Sequence, residues 1–171
     1  MHDNSMNLMR EFVEKYGVRK GTVIDVGGLD INGCYRGLFP EAEYIGVDIV
    51  EGKNVDMIMD SDEWNKTKDA DVVISGQTLE HVADIPKLLC SIFNVLKPGG
   101  LLCVIVPSAG PRHDYPIRVG HFSGEQVTEL VGDAGFETLE CTVSQAEPFR
   151  DVRCIARKRI KEFPKNANWP T

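Results

Sequence analysis

Apolar residues recur along this chain in two rhythms. Between Asn4 and Tyr16, Met6, Met9, Phe12, Val13 and Tyr16 return every three or four positions, which predicts one buried face of a helix that Gly17 ends. Short continuous apolar runs follow at Thr22–Val26, Tyr44–Val47, Asp71–Ser75 and Leu101–Val106, with a weaker one at Val55–Met59. Each is bounded by turn residues and predicts a strand. Leu101–Val106 is the most continuous, as expected of a central parallel strand covered on both faces. Helical spacing returns over Pro86–Leu96 until Pro98-Gly99-Gly100 stops it. It returns again after Ser123, an N-cap with Gln126 at the capping-box position, and runs to Gly135. A polar segment around Trp64 predicts a short helix, and Phe136–Val143 and Val152–Ala156 complete the strands. The alternation predicts an α/β fold: a doubly wound, mostly parallel sheet of about seven strands with a C-terminal antiparallel hairpin. Residues 1–171 read as a single domain with an N-terminal helix over about 4–16 and a basic tail over about 158–171.

Composition narrows the class. A chain of 171 residues with 42% hydrophobic residues suits one globular domain with a sizeable core. Its net charge of −7 argues against a surface built to track nucleic-acid phosphates. Arg150–Lys165 runs against that balance with seven basic residues and two acidic ones, as a solvated final strand and tail or as a contact for an anionic partner. The five cysteines, Cys34, Cys90, Cys103, Cys141 and Cys154, are scattered, form no C-x-x-C pair and lie mostly in apolar runs. Free thiols in a reducing compartment are therefore expected, with no structural metal. No apolar run is long enough to span a bilayer and residues 1–10 lack a signal-peptide core, so a cytoplasmic protein is expected.

The candidate chemistry starts at Val23-Ile24-Asp25-Val26-Gly27-Gly28-Leu29-Asp30-Ile31-Asn32-Gly33, a buried strand running into a glycine turn. The pattern is not G-x-G-x-x-G. It supplies a close turn at Gly27 and Gly28 with polar groups at Asp25, Asp30 and Asn32, which suits a nucleoside with a zwitterionic tail, although an ordinary βα turn favours the same residues. Asp48 ends the second strand twenty positions after Gly28, with Ile49 behind it, where a carboxylate accepts hydrogen bonds from ribose hydroxyls in Rossmann-like sheets. Asp60 closes the third strand, where an acid can meet an adenine amine, and Met57 and Met59 either flank the ring or enter the core.

Ser75-Gly76-Gln77-Thr78-Leu79-Glu80-His81-Val82 and Leu96-Lys97-Pro98-Gly99-Gly100 resemble the later motifs of class I S-adenosylmethionine-dependent methyltransferases. The resemblance covers roughly Thr22–Leu139, and Ser123-Gly124-Glu125 to Ala134-Gly135-Phe136-Glu137 is similar to the branch acting on small molecules. Asp25 to Arg36, with Pro107-Ser108-Ala109-Gly110-Pro111-Arg112-His113-Asp114-Tyr115-Pro116, resembles a subgroup associated with surface-saccharide biosynthesis. That subgroup continues with Trp-Arg-Phe where this chain has Val119-Gly120-His121-Phe122. The resemblance implies S-adenosylmethionine as cofactor, Gly76 and Gln77 beneath its sulfonium, and a small-molecule acceptor such as a sugar hydroxyl.

A hydroxyl acceptor requires a base. His113 is the first candidate, in the aperiodic Pro107–Phe122 segment that reads as a lid on the acceptor side. His81 is a second, either a general base or a polar residue that orders the strand–helix corner, and His121 is a weaker third. Tyr115 could shape the acceptor pocket, and Glu80, His113 and Asp114 could converge on a weakly held magnesium. Two rival readings stand beside the methyltransferase: a degenerate fold that regulates by binding cofactor or a protein partner, and a nicotinamide-dependent oxidoreductase lacking the usual glycine fingerprint.

Overall fold

The computed structural model describes residues 3–60, 69–110 and 120–160. Helix α1 (Asp3–Tyr16) precedes β1 (Lys20–Val26), β2 (Glu41–Asp48) and the two-residue β3 (Met57–Ile58). The chain then forms β4 (Ala70–Gly76), α2 (Ile85–Val95), β5 (Leu96–Val106), α3 (Gly124–Asp133), β6 (Phe136–Val143) and β7 (Val152–Lys158). The seven strands lie in the order β3-β2-β1-β4-β5-β7-β6, a mostly parallel sheet of the expected strand number that ends in the expected antiparallel hairpin. Only β7 runs antiparallel, between β5 and β6. Strand order reverses between β1 and β4, so a crevice opens beyond their C-terminal ends, the usual ligand position in an open α/β sheet.

Two apolar layers hold the sheet. Ile24, Val73, Leu102, Val104 and Val106 pack under α2 and α3, whose Leu89, Ile92, Val127 and Val131 are buried. Val23, Val72, Ile74, Cys103 and Ile105 face the other way, against Met9, Phe12 and Val13 of α1. The β1–β2 connection carries no α-helix. It contains a single 3₁₀ turn at Arg36–Leu38, and buried Tyr35 and Phe39 fill the space beside α1.

The sequence boundaries need two adjustments. Helix α2 stops at Val95, and Leu96 is already in register with Ala70, so β5 begins five residues before its most apolar stretch. The Val55–Met59 run shrinks to Met57–Ile58, and Met59 turns into the core. Ser123 and Gln126 form the reciprocal capping box at the start of α3. The short helix expected around Trp64 lies outside the described residues.

Candidate functional site

The glycine turn after β1 is held by the end of β2. Gly27 N and Gly28 N both donate to Val47 O, at 2.9 and 3.0 Å. Gly27 has φ +75°, and a Cβ there would lie 2.1 Å from Thr78 Oγ1, so glycine is required by the fold itself. Leu29 N donates to Asp48 Oδ2 at 3.2 Å, while Asp48 Oδ1 accepts from Ile49 N at 2.8 Å and Val50 N at 3.3 Å. An ionised carboxylate offers about four lone-pair sites, so the backbone fixes Asp48 and leaves Oδ2 acceptor capacity for a hydroxyl. Around this carboxylate Ile31, Ile49 and Val50 stand exposed, with Ile49 at 70%. Exposed apolar side chains beside a fixed acceptor make a surface that a flat heterocycle can cover.

Behind the turn lies a polar brace that no local motif announces. Arg36 Nε donates to Asn54 Oδ1 at 2.6 Å, and its guanidinium also pairs with Asp56 and stacks over the Tyr44 ring. Asn54 Nδ2 donates to Gly28 O at 2.7 Å, tying this brace to the glycine turn. Gly46 admits the Asn54 backbone, since a Cβ would fall 1.8 Å from Asn54 O. The Tyr44 hydroxyl donates to buried Asp25. Burial pushes the Asp25 carboxyl up from 3.8 to about 6, with the Tyr44 hydrogen bond and the Arg36 charge acting in the opposite direction. Burial also pushes the Tyr44 hydroxyl upward.

Across the crevice, β4 ends in Gly76 and Gln77. A Cβ on Gly76 would lie 2.1 Å from the Tyr35 hydroxyl, which bonds Ser5 of α1. Gln77 takes φ +59°, donates its N–H to Ile105 O at 2.8 Å, and donates Nε2 to Asp151 Oδ1 at 2.9 Å. Asp151 is fully buried and also accepts from Asn4 Nδ2 at 2.6 Å, while Ser144 Oγ bonds Asn4 Oδ1. One carboxylate thus joins the start of α1, the end of β4 and the β6–β7 hairpin.

The residues singled out in the sequence divide accordingly. Asp25, Gly27, Gly28, Asp48 and Ile49 cluster on the β1–β2 side, and Gly76 and Gln77 stand opposite. Asp30 accepts from Gly33 N at 2.6 Å and pairs with Lys53 at 2.7 Å, which stabilises the turn and holds its carboxyl below the ordinary range. Asn32 and Asp60 are exposed. His81 ends a 3₁₀ turn, half-buried, with Nε2 3.8 Å from the buried Glu80 carboxylate, and His121 is exposed. His113, Asp114 and Tyr115 lie outside the described residues. Sequence reasoning missed Asn4, Tyr35, Arg36, Tyr44, Asn54, Thr78 and Asp151. Only Asn54 carried a local signal, the Gly52-Lys53-Asn54 turn, because asparagine tolerates its φ of +68°. Among the described residues no group of three His, Cys, Asp or Glu side chains could hold a metal ion, and no helix is long and apolar enough to cross a membrane.

Comparison with known proteins points to one chemistry. A family model described as a methyltransferase domain matches residues 5–141. A protein from Mycolicibacterium smegmatis named "Probable S-adenosylmethionine-dependent methyltransferase" is 36% identical over 73 residues, 39% of this chain and 28% of that protein. A Mycobacterium tuberculosis protein of the same printed description is 30% identical over 112 residues, 58% of this chain and 41% of that protein. The chain thus spans less than half the length of these relatives. Among solved structures, the 1,6-didemethyltoxoflavin-N1-methyltransferase of Burkholderia thailandensis, with bound S-adenosylhomocysteine, superposes with a TM-score of 0.74 at 18% identity. The match covers 91% of this chain and 78% of that one. An N-methyltransferase from Bradyrhizobium japonicum gives 0.67 at 13% identity, covering 93% and 99%.

Proposed function

We propose, from the premise that this chain belongs to the methyltransferase-domain family, that it binds S-adenosylmethionine at the C-terminal edge of the sheet and serves methyl transfer to a small-molecule acceptor, with a sugar hydroxyl as the leading acceptor class. The observation that carries this reading is Asp48: a carboxylate fixed by three backbone N–H groups at the C-terminal end of β2, one strand from the strand-order reversal, with spare acceptor capacity and exposed Ile49 beside it. The names of the mycobacterial relatives and of the superposed structures support the same donor.

When bound, the cofactor supplies a methyl group already activated by its sulfonium. What remains for the protein is alignment and exclusion of water. Asp48 accepts a ribose hydroxyl, Ile49 covers the base, and the polar groups of the glycine turn meet the amino-acid tail. Gly76 and Gln77, fixed from below by Tyr35 and Asp151, shape the floor of the transfer site. A hydroxyl acceptor loses its proton to a base in line with the methyl group. We assign that role first to His113, with His81 as the alternative.

Calorimetric titration tests the donor. S-adenosylhomocysteine should bind, and NAD should not. Asp48→Ala should weaken S-adenosylhomocysteine by about 1.5–3 kcal/mol, the scale of hydrogen bonds to a charged group. Binding of NAD in place of S-adenosylhomocysteine overturns the reading. In a hydroxyl-acceptor panel, His113→Ala should lower turnover about 10²–10⁴-fold while leaving cofactor affinity unchanged.

A further inference from the structure

On the α2–α3 side of the sheet, away from the Asp48 crevice, two cysteines face each other. Cys141 of β6 and Cys154 of β7 are direct register partners in the antiparallel pair. Directly opposed residues have Cα atoms about 4.5–5.5 Å apart, inside the roughly 4.4–6.8 Å that a disulfide spans. Both are free thiols here. The pair is also reachable. Cys141 forms part of the wall of a surface cleft of about 540 Å³ with Gly124, Glu125, Thr128 and Glu129 of α3, while Cys154 is buried behind it. An accessible thiol backed by a buried one is the arrangement of an attacking and a resolving cysteine.

We infer that Cys141 and Cys154 form a thiol–disulfide exchange site that takes small, cationic disulfides through the α3 cleft and closes a reversible bond between β6 and β7. In the first step the Cys141 thiolate attacks one sulfur of the reagent, whose S–S bond breaks and releases one thiol. Cys154 then attacks the Cys141 sulfur, its proton passing to the departing sulfur, which leaves as the second thiol. Two protein thiols are oxidised and one small disulfide is reduced to two thiols, so electrons and atoms balance. The neighbouring Cys154 thiol favours the Cys141 thiolate and pulls its proton affinity down, with the Thr128 hydroxyl adding to the effect against burial, while the same interaction pushes the Cys154 thiol up. The neutral Cys141 thiol donates to Gly124 O at 3.4 Å, a contact that the thiolate gives up. Glu125 and Glu129 give the cleft its negative charge, which is why a cationic disulfide is the preferred reagent.

The remaining cysteines lack this arrangement. Cys103 lies in the layer on the opposite face, and burial pushes its thiol upward. Cys90 is exposed on α2 and Cys34 is half-buried in the β1–β2 connection, neither in strand register with another cysteine.

Exposure of the folded, reduced chain to cystamine, followed by alkylation and peptide mapping, tests the inference. A Cys141–Cys154 linked peptide that dithiothreitol reverses is the expected product. Cys154→Ser should stop at a stable cysteamine adduct on Cys141. At low ionic strength cystamine should react about fivefold faster than oxidised glutathione, whose net charge is negative, and added salt should narrow the gap. A stable adduct on Cys141 of the unsubstituted protein, or an untouched Cys141 beside a modified Cys90, overturns the site. Equal rates for the two reagents overturn the cationic preference. The map of the unsubstituted chain decides closure even where Cys154→Ser does not fold.

Discussion

The two walls of the crevice are built at different ranges of sequence. On the β1–β2 side the contacts are short: Leu29 to Asp48 spans 19 positions, Arg36 to Asn54 spans 18 and Gly28 to Asn54 spans 26. On the β4–β5 side, Gln77 reaches 74 positions to Asp151, and Asn4 reaches 147 to the same carboxylate. The near wall is one continuous stretch folded on itself. The far wall exists only after the first helix and the last strand have met. A ligand that touches both walls therefore reads a local structure and a global one together.

The sharpest test of the near wall is Gly27→Ala. It combines left-handed backbone strain of about 1–2 kcal/mol with overpacking against Thr78 of about 1–3 kcal/mol. Denaturant unfolding should show a total loss of about 2–5 kcal/mol. The far wall is tested by Asp151→Ala, which leaves the half-buried amides of Asn4 and Gln77 without their acceptor. A loss of about 2–4 kcal/mol is expected, at about 1–2 kcal/mol for each of the two half-buried donors. Hydrogen exchange should locate it: amides at the start of α1 should lose protection in this variant and keep it in Gly27→Ala preparations that remain folded.

Asp25 distinguishes the walls by pH. Its folded carboxyl sits at about 6, above its ordinary 3.8, so between those values the folded state holds more protons than the unfolded chain. Its contribution to stability is present at acid pH and falls as pH rises from about 4 through 6. Relative to the unsubstituted protein, Asp25→Asn should gain on the order of 2–3 kcal/mol between pH 4 and 7. A flat difference across that range would show that the carboxyl is not held in its buried, desolvated state. The smallest effect is expected at the rim. Lys53→Ala removes an ion pair whose lysine is 81% exposed and should leave melting temperature and S-adenosylhomocysteine affinity unchanged within error.

The same division explains what could be read from the residues alone. Apolar periodicity suffices for α1, the central strands and the capping box of α3, because each depends on neighbours in sequence. Gly27, Gly28, Asp48, Gly76 and Gln77 are legible as strand-end positions for the same reason. Their physical grounds were only half visible: Gly27 and Gly76 are small because Thr78 and the Tyr35 hydroxyl occupy the space. Asp151 could not be found in this way. It sits in an unremarkable Phe-Arg-Asp-Val run, and its importance comes from burial between elements far apart in the chain. Arg36 and Tyr44 are similar, since cation–π stacking over a strand residue leaves no periodic trace.

The position of β7 carries a consequence for how the molecule is made. It lies between β5 and β6, so β6, synthesised earlier, joins the sheet only through a strand that follows it. Arg153 of β7 donates to Leu8 O and pairs with Glu11, and Asp151 holds Asn4, so the first helix also waits for the last strand. At translation rates of about 5–20 residues per second, the stretch from the end of β5 at Val106 to the start of β7 at Val152 takes roughly 2–9 s. For that time one edge of β5 stands unpaired on the nascent chain. An unpaired strand edge is a template for pairing with other chains, and the far wall of the crevice is completed only when β7 fills it.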